Sequence, residues 1–553
     1  MIFLKRTWNF ILLVVFLCGC APVVTPNPAQ TSLPATPKTS LPPTAQPTLA
    51  PTLAPTPSSQ PEITLWLSGD LPQALASSFR LPQGMQRVDS AGPDVLKIEP
   101  GGEVPLSSWV YALAAPFPTI TDGTSLEALR GLWSSGSPIG SEGKSLLVDK
   151  STAAWLSGQW GKPGPAVRIL EASDLLATAW KEKTSWAILP FEQLEPRWKV
   201  LSLDGQSPIR KDFQPAQYPL TLRVGLNGPR QLAEQLLQQN PGLISTSNRR
   251  AEALTTLILT GTTALVRATA AYMELHGMDY PAQDIGPLLL DADILHISNE
   301  VSFSPKCPAP ARGGLRFCSQ DRYIQLLEAI GTSVVDLSGD HLNDWGPDAL
   351  RHTIDLYHER GWQTYGGGYT SAEAKKPALF EHNGNKIALI GCNYKLPGYA
   401  QASARNPGSV HCDPAWLDPA IQELKSAGYL PIVTLQDDEY MEAIARPKLI
   451  EDFGHAVDAG AALVSGTGSH QPQAMDFRNG VFVHYGLGNL FFDQIHAWET
   501  TDQAFIDRHV IYEGRIISTE LITTKFVDYA RPRLMTAEER SHLLDLIFKA
   551  SGW

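Results

Sequence analysis

Short apolar runs alternate with longer amphipathic stretches along most of this chain. Runs such as SVVDL, KIALIG, YLPIVTL and AALVSG have the length and composition of buried strands. Between them, stretches such as PDALRHTIDLYHERG and RPKLIEDFGHAVDAG are predicted helices, and both end at a glycine, as helices often do. Strands that alternate with helices predict an α/β fold.

The length and charge of the chain narrow this picture. A chain of 553 residues is too long for one compact core, so two or more domains are expected. The net charge is -12, from 44 basic and 56 acidic residues. Nothing here indicates general nucleic-acid binding, which favours a basic surface.

The first twenty residues have the pattern of an export signal. Lys5 and Arg6 precede the apolar run ILLVVFL, which is too short for a good membrane span. The following Leu17-Cys18-Gly19-Cys20 resembles a bacterial lipobox, which implies cleavage before Cys20 and lipidation of that cysteine. A plain signal peptide cut near Ala21 is the alternative. With lipidation, the protein would be exported and anchored to the outer face of the cytoplasmic membrane.

Residues 21–61 are rich in Pro, Thr, Ser, Ala and Gln and lack any apolar periodicity. This composition predicts a disordered linker without a core. Proline-rich segments favour polyproline II at about 3.1 Å per residue, so this linker could hold the folded part up to ~120 Å from the bilayer.

Four cysteines remain: Cys307, Cys318, Cys392 and Cys412. In an exported protein an even number indicates disulfides, and three pairings are open. We favour Cys307–Cys318 and Cys392–Cys412, because each pair flanks a loop rich in Pro and Gly. A zinc site is the rival interpretation, although no CxxC or CxxH accompanies these cysteines.

The predicted elements divide the rest of the chain into two α/β domains. Residues 62–227 resemble a small type 2 periplasmic-binding-protein-like domain, through VYALAAPFPT and WAILPFEQLEPRWKVLSLDG. The resemblance implies either a small-ligand site or a spacer and partner-recognition module. Residues 228–252 are a polar connector, and a second α/β domain is expected at 253–553.

Polar residues follow several predicted strands of the second domain. They are Thr262, Asn299 and Glu300, Asp340 and His341, Gln436 to Glu439, and Ser469 and His470. In an open α/β sheet, function collects at the carboxyl ends of the strands. Clustered carboxylates and imidazoles are the ligands that a metal-dependent phosphoesterase needs. No G-x-S-x-G elbow accompanies Ser469, which argues against a serine hydrolase.

The order of these motifs across 253–497 resembles the CapA, or poly-γ-glutamate capsule synthesis, family. SNE, GDH, QDDEY, GTGSHQPQ and HYGLGNLFFDQ stand where that family has its motifs. The resemblance implies a calcineurin-like metallophosphatase fold, an α/β/β/α sandwich, and a cell-envelope polymer as substrate or partner.

Several family ligands are replaced in this sequence. Thr262 stands in place of the first Asp, and Gln436 or Asp437 in place of an imidazole. Thr467 and Ser469 replace two histidines, while Asp340 replaces an Asn. Losing these ligands should weaken a dinuclear site severely.

The surviving residues define the candidate site. The resemblance implies metal ligands at Glu300, Asp340, His341, Asp437 and His470, with His341 and His470 catalytic and Asn299, Asn489 and Asp493 in substrate or loop roles. The site would hold Mn, Mg or Ca, or no metal at all. Two functions stay open: a metal-dependent hydrolase with a degenerate site, and a non-catalytic polymer-binding or assembly module. Simpler interpretations stand beside these roles: His341 in a capped turn, and Asp437 to Glu439 in a solvated acidic loop.

Overall fold

A computed structural model describes residues 63–311, 313–395, 397–497 and 500–553. The predicted signal sequence, Cys20 and almost all of the predicted linker lie outside these residues. Within the described ranges, no helix combines the length and apolarity needed to cross a membrane.

The first part of the chain forms a ten-stranded mixed sheet in the order β2-β1-β3-β10-β4-β8-β6-β7, with β9 pairing β4 and β5. Its strands β1 to β10 are Ile63–Leu67, Met85–Arg87, Leu96–Pro100, Val104–Pro116, Gly123–Thr124, Ser145–Val148, Val167–Ile169, Ser185–Pro190, Trp198–Leu203 and Thr221–Asn227. Its helices α1 to α5 are Gln73–Ser77, Leu126–Ser135, Lys150–Trp160, Leu175–Glu182 and Arg230–Gln239.

The second part forms two larger sheets and a two-stranded one. Strands β11 to β27 are Leu254–Thr260, Thr262–Thr263, Ile294–Asn299, Val334–Asp336, Gln363–Tyr365, Gly367–Gly368, Ala378–His382, Asn385–Asn393, Gly408–Ser409, Leu430–Gln436, Leu463–Thr467, Met475–Arg478, Val481–His484, Asn489–Phe491, Gln503–Tyr512, Arg515–Phe526 and Pro532–Leu534. Helices α6 to α13 are Arg267–His276, Gly286–Leu289, Ile324–Ala329, Pro347–Glu359, Ser371–Ala374, Pro414–Ser426, Pro447–Ala459 and Ala537–Ala550.

The order of these strands places the candidate loops at matching strand ends. The nine-stranded sheet runs β15-β14-β13-β11-β25-β26-β27, with β12 pairing β13 and β24. The six-stranded sheet runs β17-β18-β20-β21-β23-β22. In the first sheet β11, β13, β14 and β15 are parallel, and in the second β18, β20, β21 and β23 are parallel.

The two sheets pack face to face, and alternate residues of each strand explain why. Leu257 and Leu259 of β11 share a buried cluster with Ile387 and Leu389 of β18. Ile258, between the first two, points to the other face and packs with helices α6, α8 and α9. Because side chains alternate across a strand, each sheet buries both faces. The expected α/β/β/α sandwich is therefore confirmed.

The two parts of the chain share one compact unit within residues 63–553. Val510, Tyr512 and Ile517 of the nine-stranded sheet are buried in the same core as the first part. Tyr512 also stacks edge-on against Phe191, with ring centroids 5.1 Å apart.

Both predicted disulfides are confirmed. Cys307 bonds to Cys318 and Cys392 to Cys412, closing loops with sequence separations of 11 and 20. The second bond ties the end of β18 to the residues just before helix Pro414–Ser426. Each bond therefore closes a loop that leaves the carboxyl end of a central strand.

The larger disulfide loop generates a stability prediction. Cys392→Ala with Cys412→Ala should lower the free energy of unfolding by about 3 kcal/mol, since a 20-residue loop is then unconstrained in the unfolded chain. Urea unfolding followed by tryptophan fluorescence measures it. Cys307→Ala with Cys318→Ala serves as the comparison and should have a slightly smaller effect. An unchanged urea midpoint in both double variants would contradict this account.

Candidate functional site

Four loops from the two sheets meet where parallel strands end. Glu300 follows β13, Asp340 follows β14, Gln436 is the last residue of β20, and His470 follows β21. The backbone N–H of Glu300 donates to the carbonyl of Thr263, which fixes the first of these loops. The site thus needs both sheets, because neither carries all four groups.

Hydrogen bonds and ion-pair contacts join these groups into what we call the Glu300 cluster: Glu300, Asp340, Lys395, Gln436, Glu439 and His470. The Gln436 amide nitrogen donates to Glu300 Oε1 at 3.1 Å and to Asp340 Oδ1 at 3.3 Å. His470 Nε2 lies 4.0 Å from Glu300 Oε2 and 3.8 Å from Glu439 Oε1. The structure therefore brings together three of the five predicted metal ligands, Glu300, Asp340 and His470.

Lys395 supplies the positive charge at the centre of this cluster. Its Nζ lies 2.8 Å from Glu439 Oε1 and 3.5 Å from Asp340 Oδ2. Lys395 was not among the predicted site residues, although it lies at the end of the apolar run KIALIGCNY, just as the predicted residues follow theirs. Its position after a predicted strand is the signal that could have identified it. A protonated lysine does not bind a metal ion, however, so it does not count among candidate metal ligands.

His470 is held with a defined orientation. The Asn489 amide nitrogen donates to the carbonyl of His470 at 3.3 Å, which leaves Asn489 Oδ1 to accept from His470 Nδ1 at 2.8 Å. Nε2 consequently faces the two glutamates. Asn489, predicted to have a substrate or loop role, thus positions His470.

Glu300 is buried and carries an unusual protonation state. Burial raises its pKa to about 7, with Asp340 adding to the effect and His470 opposing it. Near neutral pH the Glu300 carboxyl is therefore partly protonated.

His341 borders the cluster and belongs to a second group centred on Asp344. Its Nδ1 lies 2.8 Å from Asp344 Oδ2, and its ring centroid lies 4.6 Å from that of Phe317. Burial alone would lower the pKa of His341, but the hydrogen bond to Asp344 and the nearby Asp340 and Glu300 carboxylates raise it. Asp344 is a site residue that was not among those predicted from the sequence.

Both disulfide-closed loops are held by this same Asp344. From the Cys307–Cys318 loop, Phe317 N donates to Asp344 Oδ2 at 2.9 Å and Arg316 Nε to its carbonyl at 2.6 Å. From the Cys392–Cys412 loop, the Tyr399 hydroxyl donates to Asp344 Oδ1 at 3.1 Å. Asp344 therefore joins the two loops next to the Glu300 cluster.

The remaining predicted residues lie elsewhere. Asp437 is buried beside Asp452 and Lys448 of the following helix, and burial raises its pKa to about 6. Because side chains alternate along β20, Gln436 faces the cluster and Asp437 faces away from it.

Asn299 and Asp493 have structural partners instead. The Asn299 amide donates to Val301 O at 2.7 Å and to the Tyr357 hydroxyl at 2.6 Å. Asp493 forms an ion pair with Arg267 and accepts from the backbone N–H of Ala268 at the start of α6.

The residues of this site do not fit the metal centre that the sequence resemblance implied. Among the described residues, no group of three or more His, Cys, Asp and Glu side chains is arranged to hold a metal ion. The Lys395 ammonium and the Gln436 amide direct N–H donors at the carboxylates that would otherwise bind a cation. Thr262, in place of the first family carboxylate, accepts a hydrogen bond from Gly468 N at 3.2 Å.

Comparisons with solved structures give only low similarity scores. A 5'-nucleotidase precursor from Thermus thermophilus aligns with a TM-score of 0.30 and 16% identity, over 54% of this chain and 59% of that one. An ABC-type phosphate transport receptor from Vibrio cholerae aligns with a TM-score of 0.28 and 11% identity, over 33% of this chain and 93% of that one.

Sequence comparisons carry the family assignment. The capsule biosynthesis protein CapA of Bacillus anthracis is 24% identical over 302 residues, which are 52% of this chain and 71% of that protein. The PGA biosynthesis protein CapA of Bacillus subtilis (strain 168) is 24% identical over 246 residues, 44% of this chain and 64% of that protein. Residues 256–494 match the model of the family described as bacterial capsule synthesis protein PGA_cap, so this segment is similar to that family.

Proposed function

We propose that this protein binds an anionic cell-envelope polymer of the poly-γ-glutamate type during capsule synthesis or processing, at the mouth of the Glu300 cluster. The observation that carries the proposal is the composition of the two disulfide-closed loops. Between their cysteines they contain Arg312, Arg316, Lys395 and Arg405 and no acidic residue, in a chain whose net charge is -12. A basic edge in an acidic protein concentrates an anionic polymer at that edge.

The proposed site works without a divalent metal. Lys395 is already paired with Asp340 and Glu439, and burial raises the pKa of Glu300 to about 7. Of the two functions that the sequence left open, this charge balance favours polymer binding or assembly over metal-dependent phosphoester hydrolysis.

The proposed location is the outer face of the cytoplasmic membrane. Export and lipidation at Cys20 would anchor the protein, and the Pro- and Thr-rich segment would carry the folded part outward. The two disulfides support export, since disulfides persist mainly in oxidising compartments.

Polymer binding should depend on charge in the loops. Arg316→Gln with Arg405→Gln should weaken retention of poly-γ-glutamate about tenfold at low salt, and added salt should shrink the difference. Surface-immobilised polymer measures this, with dextran as the neutral comparison. Arg230→Gln, on the exposed surface of helix Arg230–Gln239, is the control and should bind like the wild type. Equal retention of dextran, or no loss in the double variant, would refute the proposed binding edge.

Metal affinity should be absent until Lys395 is removed. Protein purified without chelator should contain far less than one equivalent of Mn, Mg or Ca by mass spectrometry, and EDTA should leave its Tm unchanged. Lys395→Met leaves Asp340 and Glu439 without their cation, so Mn²⁺ should then raise the Tm by several degrees. Lys549→Met is the control, because Lys549 forms an exposed ion pair with Asp545. Stoichiometric metal in the wild type would overturn the metal-free site.

The protonation of Glu300 gives a stability test with a definite sign. Its carboxyl ionises near pH 7 when folded but near 4.5 ordinarily, so its ionisation favours the unfolded chain as pH rises through this window. Glu300→Gln removes that penalty, since its amide oxygen can still accept from Gln436. The variant should gain Tm over the wild type at pH 8 and gain little at pH 5.

The control for Glu300→Gln is a glutamate at the protein surface. Glu359→Gln changes an exposed glutamate and should show no such pH dependence. A bound cation would hold Glu300 ionised, and Glu300→Gln would then be less stable than the wild type at pH 8.

A further inference from the structure

A cavity lies between the two parts of the chain, away from the Glu300 cluster. It has a volume of about 430 Å³ and is lined by strand Trp198–Leu203 of the first part, strand Arg515–Phe526 of the second, and helix Ala537–Ala550. None of its lining residues belongs to the Glu300 cluster. This volume is typical of small-molecule sites.

Charged side chains of both signs line this cavity. Three are cations, Lys199, Arg210 and Arg540, and two are carboxylates, Asp122 and Glu520, so one positive charge is in excess. Lys199 and Arg540 both pair with Asp122, at 2.7 and 2.9 Å, while Arg210 pairs with Glu520 at 2.8 Å. Two cations thus share one carboxylate at one end of the cavity.

Polar atoms with no hydrogen-bond partner also line the cavity. They are Thr119 Oγ1, Ser207 Oγ and Glu520 Oε2, the last of which lies 3.5 Å from Arg508 Nη1 in an ion pair. Thr119 is only 2% exposed and Ser207 only 9%. Leaving either hydroxyl buried and unpaired is unfavourable, and a ligand with donors and acceptors would remove that penalty.

We propose that this cavity binds a small acidic ligand that carries more carboxylate than ammonium groups, of the size of an acidic amino acid or its dipeptide. A ligand carboxylate beside Lys199 and Arg540 would share their charge with Asp122. A ligand ammonium would face Glu520 Oε2 and share it with Arg508, and the hydroxyls of Thr119 and Ser207 would complete the contacts. The proposal is independent of polymer binding at the Glu300 cluster, because the two sites share no residue.

Calorimetric titration of the full-length protein with L-glutamate tests the proposal. Glutarate lacks the ammonium group of glutamate and should bind more weakly than glutamate. L-Lysine carries the opposite net charge and should not bind. Lys199→Gln should weaken glutamate binding at least tenfold. Lys150→Gln, at an exposed ion pair with Glu171, is the control and should leave binding unchanged.

Glu520→Gln tests the ammonium contact separately. It should abolish the preference for glutamate over glutarate while both still bind. No saturable binding of glutamate or glutarate, or equal binding by Lys199→Gln, would overturn the proposal.

A chemical footprint covers the case in which Lys199→Gln fails to fold. Burial lowers the pKa of Lys199 to about 8, so its amine is nucleophilic at mildly alkaline pH. Glutamate should slow acetylation of Lys199 in the wild type, mapped by mass spectrometry, and leave Lys150 unaffected. Unslowed acetylation at saturating glutamate would equally refute the site, whatever the outcome of the polymer assays.

Discussion

The site depends on one constraint: several carboxylates that meet at the ends of two sheets must be neutralised. Burying an unpaired carboxylate is strongly unfavourable, so a cation, a proton or hydrogen-bond donors must accompany each one. A dinuclear centre meets this requirement with metal ions. Here the Lys395 ammonium accompanies Asp340 and Glu439, and a raised pKa lets Glu300 keep a proton. The Gln436 amide donates to both Glu300 and Asp340 and so joins these two parts of the cluster.

The sandwich explains why these groups converge at all. Because the central strands of each sheet are parallel, their loops leave from the same end of the sheet. The core between the sheets holds these two ends side by side. The two disulfide loops then meet at Asp344, which carries hydrogen bonds from both and from His341. The carboxylate cluster, the two disulfide-closed loops and the basic residues of those loops thus all lie at the same few strand ends.

Much of this could be predicted from the sequence, because the signals were local. Short apolar runs identified the strands, and the order of the motifs predicted the sandwich. Glu300, Asp340 and His470 could be grouped because each follows a predicted strand. Loop composition likewise gave the correct disulfide pairs.

What could not be predicted was the direction of individual side chains and the identity of the neutralising group. Asp437 was an equally good candidate by composition, yet its neighbour Gln436 takes the inward position on β20. Register along a strand decides this, and sequence alone gives register only to within a residue or so. Lys395 was not predicted because its ammonium cannot be a metal ligand. It instead takes the place of a metal ion as the positive charge beside these carboxylates.

Gln436 shows how far one side chain determines the character of the site. An imidazole at this position would present a lone pair to a cation, whereas the amide nitrogen presents hydrogens to Glu300 and Asp340. Those hydrogens repel a cation from the point where the two carboxylates approach each other. Lys395 repels it from the other side of Asp340, by like charge. The two residues act on the same carboxylate, so restoring a ligand at position 436 alone would leave Asp340 neutralised and the cation still excluded.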